Sequence, residues 1–375
     1  MAKTKIAIAC QGGGSQTAFT AGALKALCEA RVIEEFEIVS ISGTSGGAVC
    51  AALVWYAFEK EESPPWGRLM AFWQDNTAQG WLEQTFNSFV VGSIRMVNRG
   101  LIPTLQLSPS SPLLQNIVSA ATIGHRETFR DFRSLLETHI DFNEIASWGP
   151  RRKRPILMIG AANVSTGKLT KFISIRQPIR VEHILASCAV PNIFPAVRID
   201  GDGYWDGLFS DNPPLQELMQ PDSVGAENLP EEIWLIKINP TTCEQIPELP
   251  DDIVDRRNQL EGNISMFQQL RHLEMINNML LQDAFQPDYL AKLDIKAPVR
   301  IPRSFSTDPH KPYHIPFIEM PADLQKTLDF ESKLDRSSFN IERLIAEGER
   351  SARRFLQERA AAVSDQPPAK SRGGL

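Results

Sequence analysis

The alternation of apolar and polar residues near the N-terminus predicts two strand–turn–helix units in succession. Residues 5–10 form a short, mostly apolar run, and a glycine-rich loop separates it from apolar residues at helical spacing between residue 18 and about residue 30. A second apolar run, residues 38–41, stops at the sequence Gly-Thr-Ser-Gly-Gly and leads into a helical pattern of small residues at 48–55. We therefore expect a strand, a turn and a helix in each unit.

The same kind of pattern predicts the elements of the remaining chain. Residues 59–150 are rich in Trp and Phe and are broken by Pro103, Pro109 and Pro112, which indicates a layer of short helices over the sheet. The alternative for this region is a mobile apolar lid or a membrane-docking face, because Trp and Phe suit a lipid interface. The other predicted elements are strands at 155–161, 169–175 and 232–239, a hairpin at 197–206, and helices at 181–189, 256–285, 323–334 and 338–359.

Charge and apolar run length argue against several classes of function. The chain has 375 residues and a net charge of −6, and general nucleic-acid binding needs a basic surface instead. The basic run 151–154 is either a solvated loop or a contact for anionic lipid headgroups. No apolar run approaches the roughly 18 residues of a membrane-spanning helix. The short apolar run near the N-terminus leads into a glycine triplet, so we expect a buried strand and not a signal peptide.

The cysteines of this chain are scattered and contain no Cys-x-x-Cys pair. They are Cys10, Cys28, Cys50, Cys188 and Cys243. This pattern predicts free thiols in a reducing, cytoplasmic compartment, and it argues against a disulfide framework or a zinc site.

The sequence Gly43-Thr44-Ser45-Gly46-Gly47 fits a nucleophile elbow, in which a serine occupies a sharp corner between a strand and a helix. Gly43 and Gly47 flank the serine and allow strained backbone angles and close approach of a substrate. The helix that follows would direct free N–H groups and its positive dipole end towards Ser45. A glycine-rich turn with a capping serine is the alternative interpretation.

The loop Gly12-Gly13-Gly14-Ser15 has two chemically sensible uses. A dinucleotide pyrophosphate would require the pattern G-x-G-x-x-G, but its last position is Thr17 and no clear acidic strand end follows at the expected distance. The other use is an oxyanion hole, in which backbone N–H groups of consecutive glycines stabilise developing negative charge. That use requires a nucleophile, and Ser45 follows one unit later.

The predicted hairpin at 197–206 carries three aspartates, Asp200, Asp202 and Asp206. The first two flank turn glycines, where Asp commonly serves only to form the turn. Asp206 precedes Gly207 at a strand end, where a carboxylate could project into a site. The local sequence leaves the structural and the catalytic interpretation of Asp206 equally open.

The order of these motifs resembles the patatin-like phospholipase family. The segment 186–195, which continues to Asp206-Gly207 and Asn212-Pro213-Pro214, is similar to the part of that family around its catalytic aspartate. Residues 163–167 are similar to its central strand and turn, and the helix at 259–282 resembles the C-terminal part of bacterial members. The resemblance extends from residue 4 to about residue 215.

The resemblance implies a three-layer α/β/α fold with a central, mostly parallel sheet, related to cytosolic phospholipase A2. It also implies a serine lipid acyl hydrolase of the phospholipase A or lysophospholipase type. Ser45 would be the nucleophile, Asp206 its base, and the amides of Gly12, Gly13, Gly14 and Ser15 the oxyanion hole. The substrate would be a lipid or fatty-acyl ester, with peripheral contact to a membrane surface and with no metal or cofactor.

The expected domain organisation follows from the same resemblance. A catalytic core covers 4–215, with the aromatic-rich insertion at 60–150. A C-terminal strand and helices at 216–361 would pack on this core. The tail at 362–375 contains Pro367-Pro368 and a glycine pair, and we expect it to be disordered.

The chain departs from the family pattern at three positions, and these departures leave two alternatives open. Gln16 stands where the family usually has Arg or Lys, Thr17 where it has Gly, and Leu208 where a smaller residue follows Asp-Gly. One alternative is a catalytically weak module that binds lipid or a partner. The other is a Ser–His–Asp hydrolase, in which the histidine follows the acid in the chain, as His272, His310 and His314 do.

Overall fold

A central sheet forms the framework of the computed structural model, which describes residues 3–103, 111–112, 115–116, 131–191, 193–292 and 317–364. The sheet order is β5-β6-β3-β2-β1-β7-β8, and β4 pairs with β3 outside this path. The strands are β1 (Thr4–Cys10), β2 (Phe36–Gly43), β3 (Ile156–Asn163), β4 (Leu169–Ile173), β5 (Val197–Ile199), β6 (Asp202–Asp206), β7 (Glu232–Lys237) and β8 (Ile318–Glu319).

The middle of the sheet is parallel and one side is antiparallel. Strand β1 pairs in parallel with β2 and β7, β2 with β3, and β7 with β8. Strands β4 and β6 run antiparallel to β3, and β5 runs antiparallel to β6. The predicted hairpin at 197–206 is therefore present as β5 and β6.

The helices lie between and after these strands. They are α1 (Ala18–Leu27), α2 (Ala30–Glu35), α3 (Gly46–Glu59), α4 (Gly67–Asn76), α5 (Gly80–Asn98), α6 (Phe132–His139), α7 (Phe142–Trp148), α8 (Val181–Ser187), α9 (Pro221–Val224), α10 (Pro250–Leu281), α11 (Pro287–Lys292), α12 (Ala322–Gln325) and α13 (Ser338–Ser364). Within the described ranges, no helix combines the length and apolar character needed to cross a membrane.

Both faces of the sheet are covered by helices, and this explains why its central strands are apolar along their whole length. Ile6 and Ile8 of β1 belong to a large apolar cluster that includes residues of α1, α3 and α13. Ala7, which points to the opposite face, belongs to a second cluster that contains Met266 and Leu270 of α10. The expected three-layer α/β/α fold with a mostly parallel sheet is confirmed.

The structure corrects three of the predicted helices. The helix expected at 18–30 ends at Leu27, and the chain starts a new helix at Ala30. The region 59–150 contains the 19-residue helix α5 as well as shorter ones, because no proline lies between Gly80 and Asn98. Pro109 and His310 and His314 lie outside the described residues, as do most of 104–130 and all of 293–316.

The helix predicted at 323–334 is not continuous. Helix α12 ends at Gln325, and only a short 3₁₀ turn forms at Glu331–Lys333. Residues 329–333, here termed the capping segment, instead form hydrogen bonds with distant parts of the chain. Phe330 N, for example, donates to Asp255 Oδ1 at 2.6 Å. These tertiary contacts replace the helical ones and account for the failed prediction.

The last long helix packs closely against the first. A Cβ atom added to Gly22 of α1 would lie 1.9 Å from Ile345 O, and one added to Gly348 of α13 would lie 2.0 Å from Phe19 O. Each glycine therefore lies directly against the backbone of the other helix, which allows α1 and α13 to touch. This contact attaches the C-terminal part of the chain to its first helix.

Candidate active site

Ser45 occupies a strained corner between β2 and α3. Its backbone angles are φ 54° and ψ −131°, which side chains other than glycine rarely adopt. The Ser45 amide donates to Ser187 Oγ at 2.9 Å, and that hydroxyl donates to Gly160 O at 2.6 Å. Two hydrogen bonds in series therefore anchor the corner to β3.

The glycines around Ser45 are sterically required. A Cβ atom on Gly47 would lie 2.3 Å from Cys10 O, and one on Gly43 would lie 2.6 Å from Gly47 C. The end of β1, the end of β2 and the first turn of α3 thus meet with no room for side chains. This crowding places the Ser45 hydroxyl at the N-terminus of α3, as the elbow motif predicted.

The pairing of β3 explains why Asp206 comes to the same place. Strand β4 pairs with one edge of β3 at both Ile159 and Ala161. The opposite edge of β3 is shared by two strands. The last residue of β2, Gly43, pairs with Ile159, and the last residue of β6, Asp206, pairs with Ala161. The ends of β2 and β6 therefore face each other across a single residue of β3.

That single residue is Gly160, and its neighbours leave no space for a larger one. A Cβ atom on Gly160 would lie 2.9 Å from Thr44 Oγ1, and one on Gly207 would lie 2.5 Å from Gly160 O. This close packing brings Ser45 and Asp206 together, although Ser45 lies 142 residues before Ser187 and Asp206 lies 19 residues after it.

The carboxyl group of Asp206 is fully enclosed, since the residue is only 1% exposed. Its Oδ1 accepts from Leu208 N at 2.8 Å, and its own amide donates to Ala189 O at 2.9 Å. Among the described residues, no group forms a hydrogen bond of good geometry with Oδ2. The corner formed by Asp206 and Gly207 is thus fixed, and one carboxyl oxygen remains for a further partner.

Burial raises the pKa of Asp206 to about 7, which is far above its ordinary value. The Leu208 amide, the Ser45 hydroxyl and the Lys333 ammonium each oppose this change and lower the pKa. The Ser45 hydroxyl therefore lies beside the carboxyl, although the two do not reach full hydrogen-bond geometry. A carboxylate with this pKa is a better base at neutral pH than an ordinary one.

The glycine loop runs directly beside Ser45. A Cβ atom on Gly12 would lie 2.8 Å from Ser45 Cβ. The Gly12 amide already donates to Asn212 Oδ1 at 2.7 Å. Within the described part of the chain, the amides of Gly13 and Gly14 have no acceptor. Gly14 has φ 56° and opens the 3₁₀ turn that contains the buried Ser15.

The two departures in this loop fit their surroundings. Thr17 has ordinary backbone angles, φ −72° and ψ 1°, and its hydroxyl donates to Gly14 O at 2.6 Å. Gln16 is buried, and its Nε2 donates to Ser332 Oγ at 2.7 Å and to Asp329 O at 3.2 Å. Gln16 therefore joins the glycine loop to the capping segment.

Of the three candidate histidines, only His272 lies within the described residues. It is exposed on α10, and none of the described groups that shift the pKa of Asp206 is a histidine. Across the described ranges, no cluster of three or more His, Cys, Asp or Glu residues could hold a metal ion. The five cysteines are free thiols, as predicted.

The order of these elements agrees with a comparison against known families. The sequence profile of the patatin-like phospholipases matches residues 8–219, which is more than half of the chain. The chain belongs to the patatin-like phospholipase family. Membership of this family supports lipid acyl hydrolysis in general as the activity. No curated protein matches the sequence.

Two solved structures resemble this member of the patatin-like phospholipase family at low identity. The crystal structure of VipD from Legionella pneumophila is 13% identical, with a TM-score of 0.39, and the match covers 95% of this chain and 67% of that one. The heterodimeric ExoU–SpcU complex from the type III secretion system of Pseudomonas aeruginosa is 14% identical, with a TM-score of 0.23 and coverages of 79% and 57%. The chain thus spans about two thirds and just over half of these proteins.

Three residues of this patatin family member were not predicted to shape the site. Ser187 holds the Ser45 amide, Asn212 accepts from the Gly12 amide, and Lys333 lies in the capping segment. Ser187 and Asn212 do lie in segments that resemble the family. Lys333 has no local signal, because its partners lie far away in the sequence.

Proposed function

We propose that this chain is a serine lipid acyl hydrolase of the phospholipase A or lysophospholipase type, with Ser45 as nucleophile and Asp206 as general base. The observation that supports this best is a strained serine at a helix N-terminus beside a buried carboxyl whose pKa is about 7. Strain of this kind is typical of functional sites. A base with a pKa near the working pH transfers protons efficiently.

The reaction would begin with attack by Ser45 Oγ on the acyl carbonyl carbon of a glycerolipid ester. The hydroxyl proton moves to Asp206 as the new C–O bond forms. When the tetrahedral intermediate collapses, the ester bond breaks and Asp206 returns the proton to the leaving alcohol. Water then attacks the acyl-serine with Asp206 again as base, which releases the fatty acid and restores Ser45.

The glycine loop would stabilise the oxyanion in both steps. The Gly12 amide is engaged by Asn212, so the amides of Gly13 and Gly14 are the donors that we assign to this role. Loss of one such donor typically lowers the rate about 100-fold to 1,000-fold. In this proposal Asn212 fixes the first glycine of the loop, and the next two bind the charge.

Exposed apolar side chains on α5 and just after Asp206 are suited to contact with lipid. Trp81 and Phe89 are exposed by 77% and 67%, and they lie on the same face of α5 because eight residues separate them. Phe209, three residues after Asp206, is 55% exposed. Basic groups contribute less, since Arg151 and Arg154 of the cluster 151–154 pair with Glu59 and Glu37. We propose peripheral contact with membranes through these apolar residues.

A fluorophosphonate probe tests the nucleophile, and fatty-acid release from phospholipid and lysophospholipid tests the reaction. We expect the probe to label Ser45 in the wild type, with no label on Ser45→Ala. Turnover by Ser45→Ala and Asp206→Asn should fall at least about 1,000-fold. Ser93→Ala on α5 is the matched control and should keep full labelling and turnover.

Two results would reject the proposal. Turnover of a fatty-acyl ester by Ser45→Ala at the wild-type rate would show that the nucleophile is another residue. A folded wild-type protein that neither reacts with the probe nor releases fatty acid would favour the non-catalytic binding module instead.

A further inference from the structure

The capping segment, residues 329–333, joins the glycine loop to helices α10 and α5. Gln16 holds it from the loop, and Phe330 N donates to Asp255 of α10. From α5, Arg95 pairs with Asp329 at 2.7 Å and Asn98 donates to Glu331 at 2.9 Å. A segment held on several sides has a fixed position, so it can hold the loop in a fixed position as well.

The contact between this segment and the loop is a direct backbone contact. A Cβ atom on Gly14 would lie 2.3 Å from Lys333 O and 3.2 Å from Lys333 C. Gly14 carries one of the two amides that we assign to the oxyanion. Lys333 therefore packs on the back of the loop that the reaction would use.

The Lys333 side chain places a positive charge behind the same loop. Its stem reaches solvent in part, whereas its ammonium group is enclosed, and burial lowers the pKa of this group to about 8. The ammonium donates to Asn239 Oδ1 at 2.9 Å and also to Asn258 Oδ1. Both acceptors are neutral amides, and among the described residues no carboxylate forms a salt bridge with Lys333.

We propose that Lys333 is a positioning residue of this site, whose segment seats the glycine loop and whose enclosed ammonium supplies the positive charge that keeps Asp206 ionised near neutral pH. This inference rests on the function proposed above. An opposite charge favours the ionised form of a carboxyl, and enclosed charges are screened only weakly by salt. Lys333 acts through Asp206 and the loop, without touching the substrate.

Several other titratable groups lie around Lys333 and Asp206, and the test must separate their effects on activity from that of Lys333. The Lys333 ammonium is surrounded by the acidic side chains of Asp255, Asp206 and Glu261. Asp255 also faces Glu331 and Asp329, and burial raises its pKa to about 6. The Asp206 carboxyl faces the Ser45 hydroxyl, the Leu208 amide and the Cys188 thiol. Of the described groups that shift the pKa of Asp206, Lys333 is the one with a positive charge.

The decisive experiment is the pH profile of kcat/KM for a soluble p-nitrophenyl ester, measured from pH 5 to pH 9. Wild type, Lys333→Met and Lys333→Arg are compared, with thermal unfolding of each as the folding check. We expect Lys333→Met to shift the acidic limb to higher pH. The ratio of wild-type to variant kcat/KM should therefore be about threefold or more larger at pH 6 than at pH 9. Lys333→Arg keeps the charge and should keep the wild-type limb.

A rescue variant provides a second arm. Gln16 and Lys333 line the same cavity of about 20 Å³, so an ammonium at position 16 would enter the same space. We expect Gln16→Lys in the Lys333→Met background to return the acidic limb towards its wild-type position. If Lys333→Met does not fold, Lys333→Gln gives the same comparison, because it keeps a donor for Asn239.

The possible outcomes separate this inference from the proposed function. The role of Lys333 would be overturned if the pH profiles of wild type and Lys333→Met superimposed, or if the variant lost the same factor in kcat/KM at every pH. Either result would leave Ser45-dependent turnover intact. Wild-type turnover that Ser45→Ala retains would overturn both. A limb that shifts in the methionine variant and returns with Gln16→Lys would establish the role.

Discussion

At the scale of single residues, one buried carboxyl links the site to the stability of the whole protein. Burial raises the pKa of Asp206 to about 7, whereas an unfolded chain gives Asp a pKa of about 3.9. The folded state therefore binds this proton more tightly than the unfolded state. The contribution of Asp206 to stability is present below pH 4 and is lost as the pH rises to 7.

We expect Asp206→Asn to be more stable than the wild type at pH 8. Asparagine keeps the Oδ1 acceptor for Leu208 N and cannot ionise. The gain in the free energy of unfolding should be about 2 to 4 kcal/mol at pH 8 and smaller at pH 5. Denaturant unfolding at both pH values measures it. An equal difference at the two pH values would show that ionisation of Asp206 has no part in it.

The residues differ in how far their sequence could reveal them. Ser45 lies between glycines after a predicted strand, and this local signal marked it as a candidate nucleophile. The local sequence of Asp206 left its role open, and the family resemblance selected it as the partner of Ser45. Asn212 and Lys333 contact the glycine loop from 200 and about 320 residues further along the chain. No local pattern encodes such contacts, so only the folded structure shows them.

At the scale of elements, the packing of α1 on α13 depends on two glycines. We expect Gly348→Ala to lower the free energy of unfolding by about 2 kcal/mol or more, because the new methyl group would meet the backbone of α1. Gly92→Ala on α5 is the matched control, since nothing lies within 4 Å of its Cβ position. It should stabilise the protein by about 0.5 to 1 kcal/mol.

Urea unfolding of the two variants and the wild type measures both effects. Equal stability of Gly348→Ala and Gly92→Ala would contradict the close contact between the two helices. An equal loss of stability in both variants would also contradict the contact, because an effect shared by both sites could not come from crowding at Gly348.

Periodicity predicted the elements that are stabilised mainly by their own apolar face. The strands β1, β2 and β3 were all expected within two residues of their ends, whereas α10 begins six residues and ends four residues before the predicted bounds. The helix expected at 323–334 was not found, because Asp255, Gln16 and Arg95 bind the backbone or side chains of the capping segment. Tertiary hydrogen bonds of this kind leave no trace in a hydrophobic pattern.

At the scale of the whole molecule, the exposed aromatic residues of α5 lie on an element that contacts the capping segment. We expect the double variant Trp81→Ser/Phe89→Ser to bind phosphatidylcholine vesicles about tenfold or more weakly than the wild type, because burial of two aromatic side chains in lipid is lost. Turnover of a soluble ester should not change. Vesicle sedimentation and a soluble-ester assay measure the two effects.

Phe339→Ser is the matched control for that experiment, since Phe339 is 72% exposed but lies on α13. It should bind vesicles as the wild type does. Equal weakening by both variants would mean that vesicle binding reflects total exposed apolar area and not a defined face.

The contact between Gln16 and Asp329 spans 313 positions of the chain. A ribosome that adds 5 to 20 residues each second needs about 15 to 60 seconds to make the intervening polypeptide. During that interval the N-terminal loop has been synthesised while the lysine that supports it does not yet exist. Translation order thus leaves the glycine loop without this support until the capping segment has been made, so the packing around Ser45 is completed only after that point.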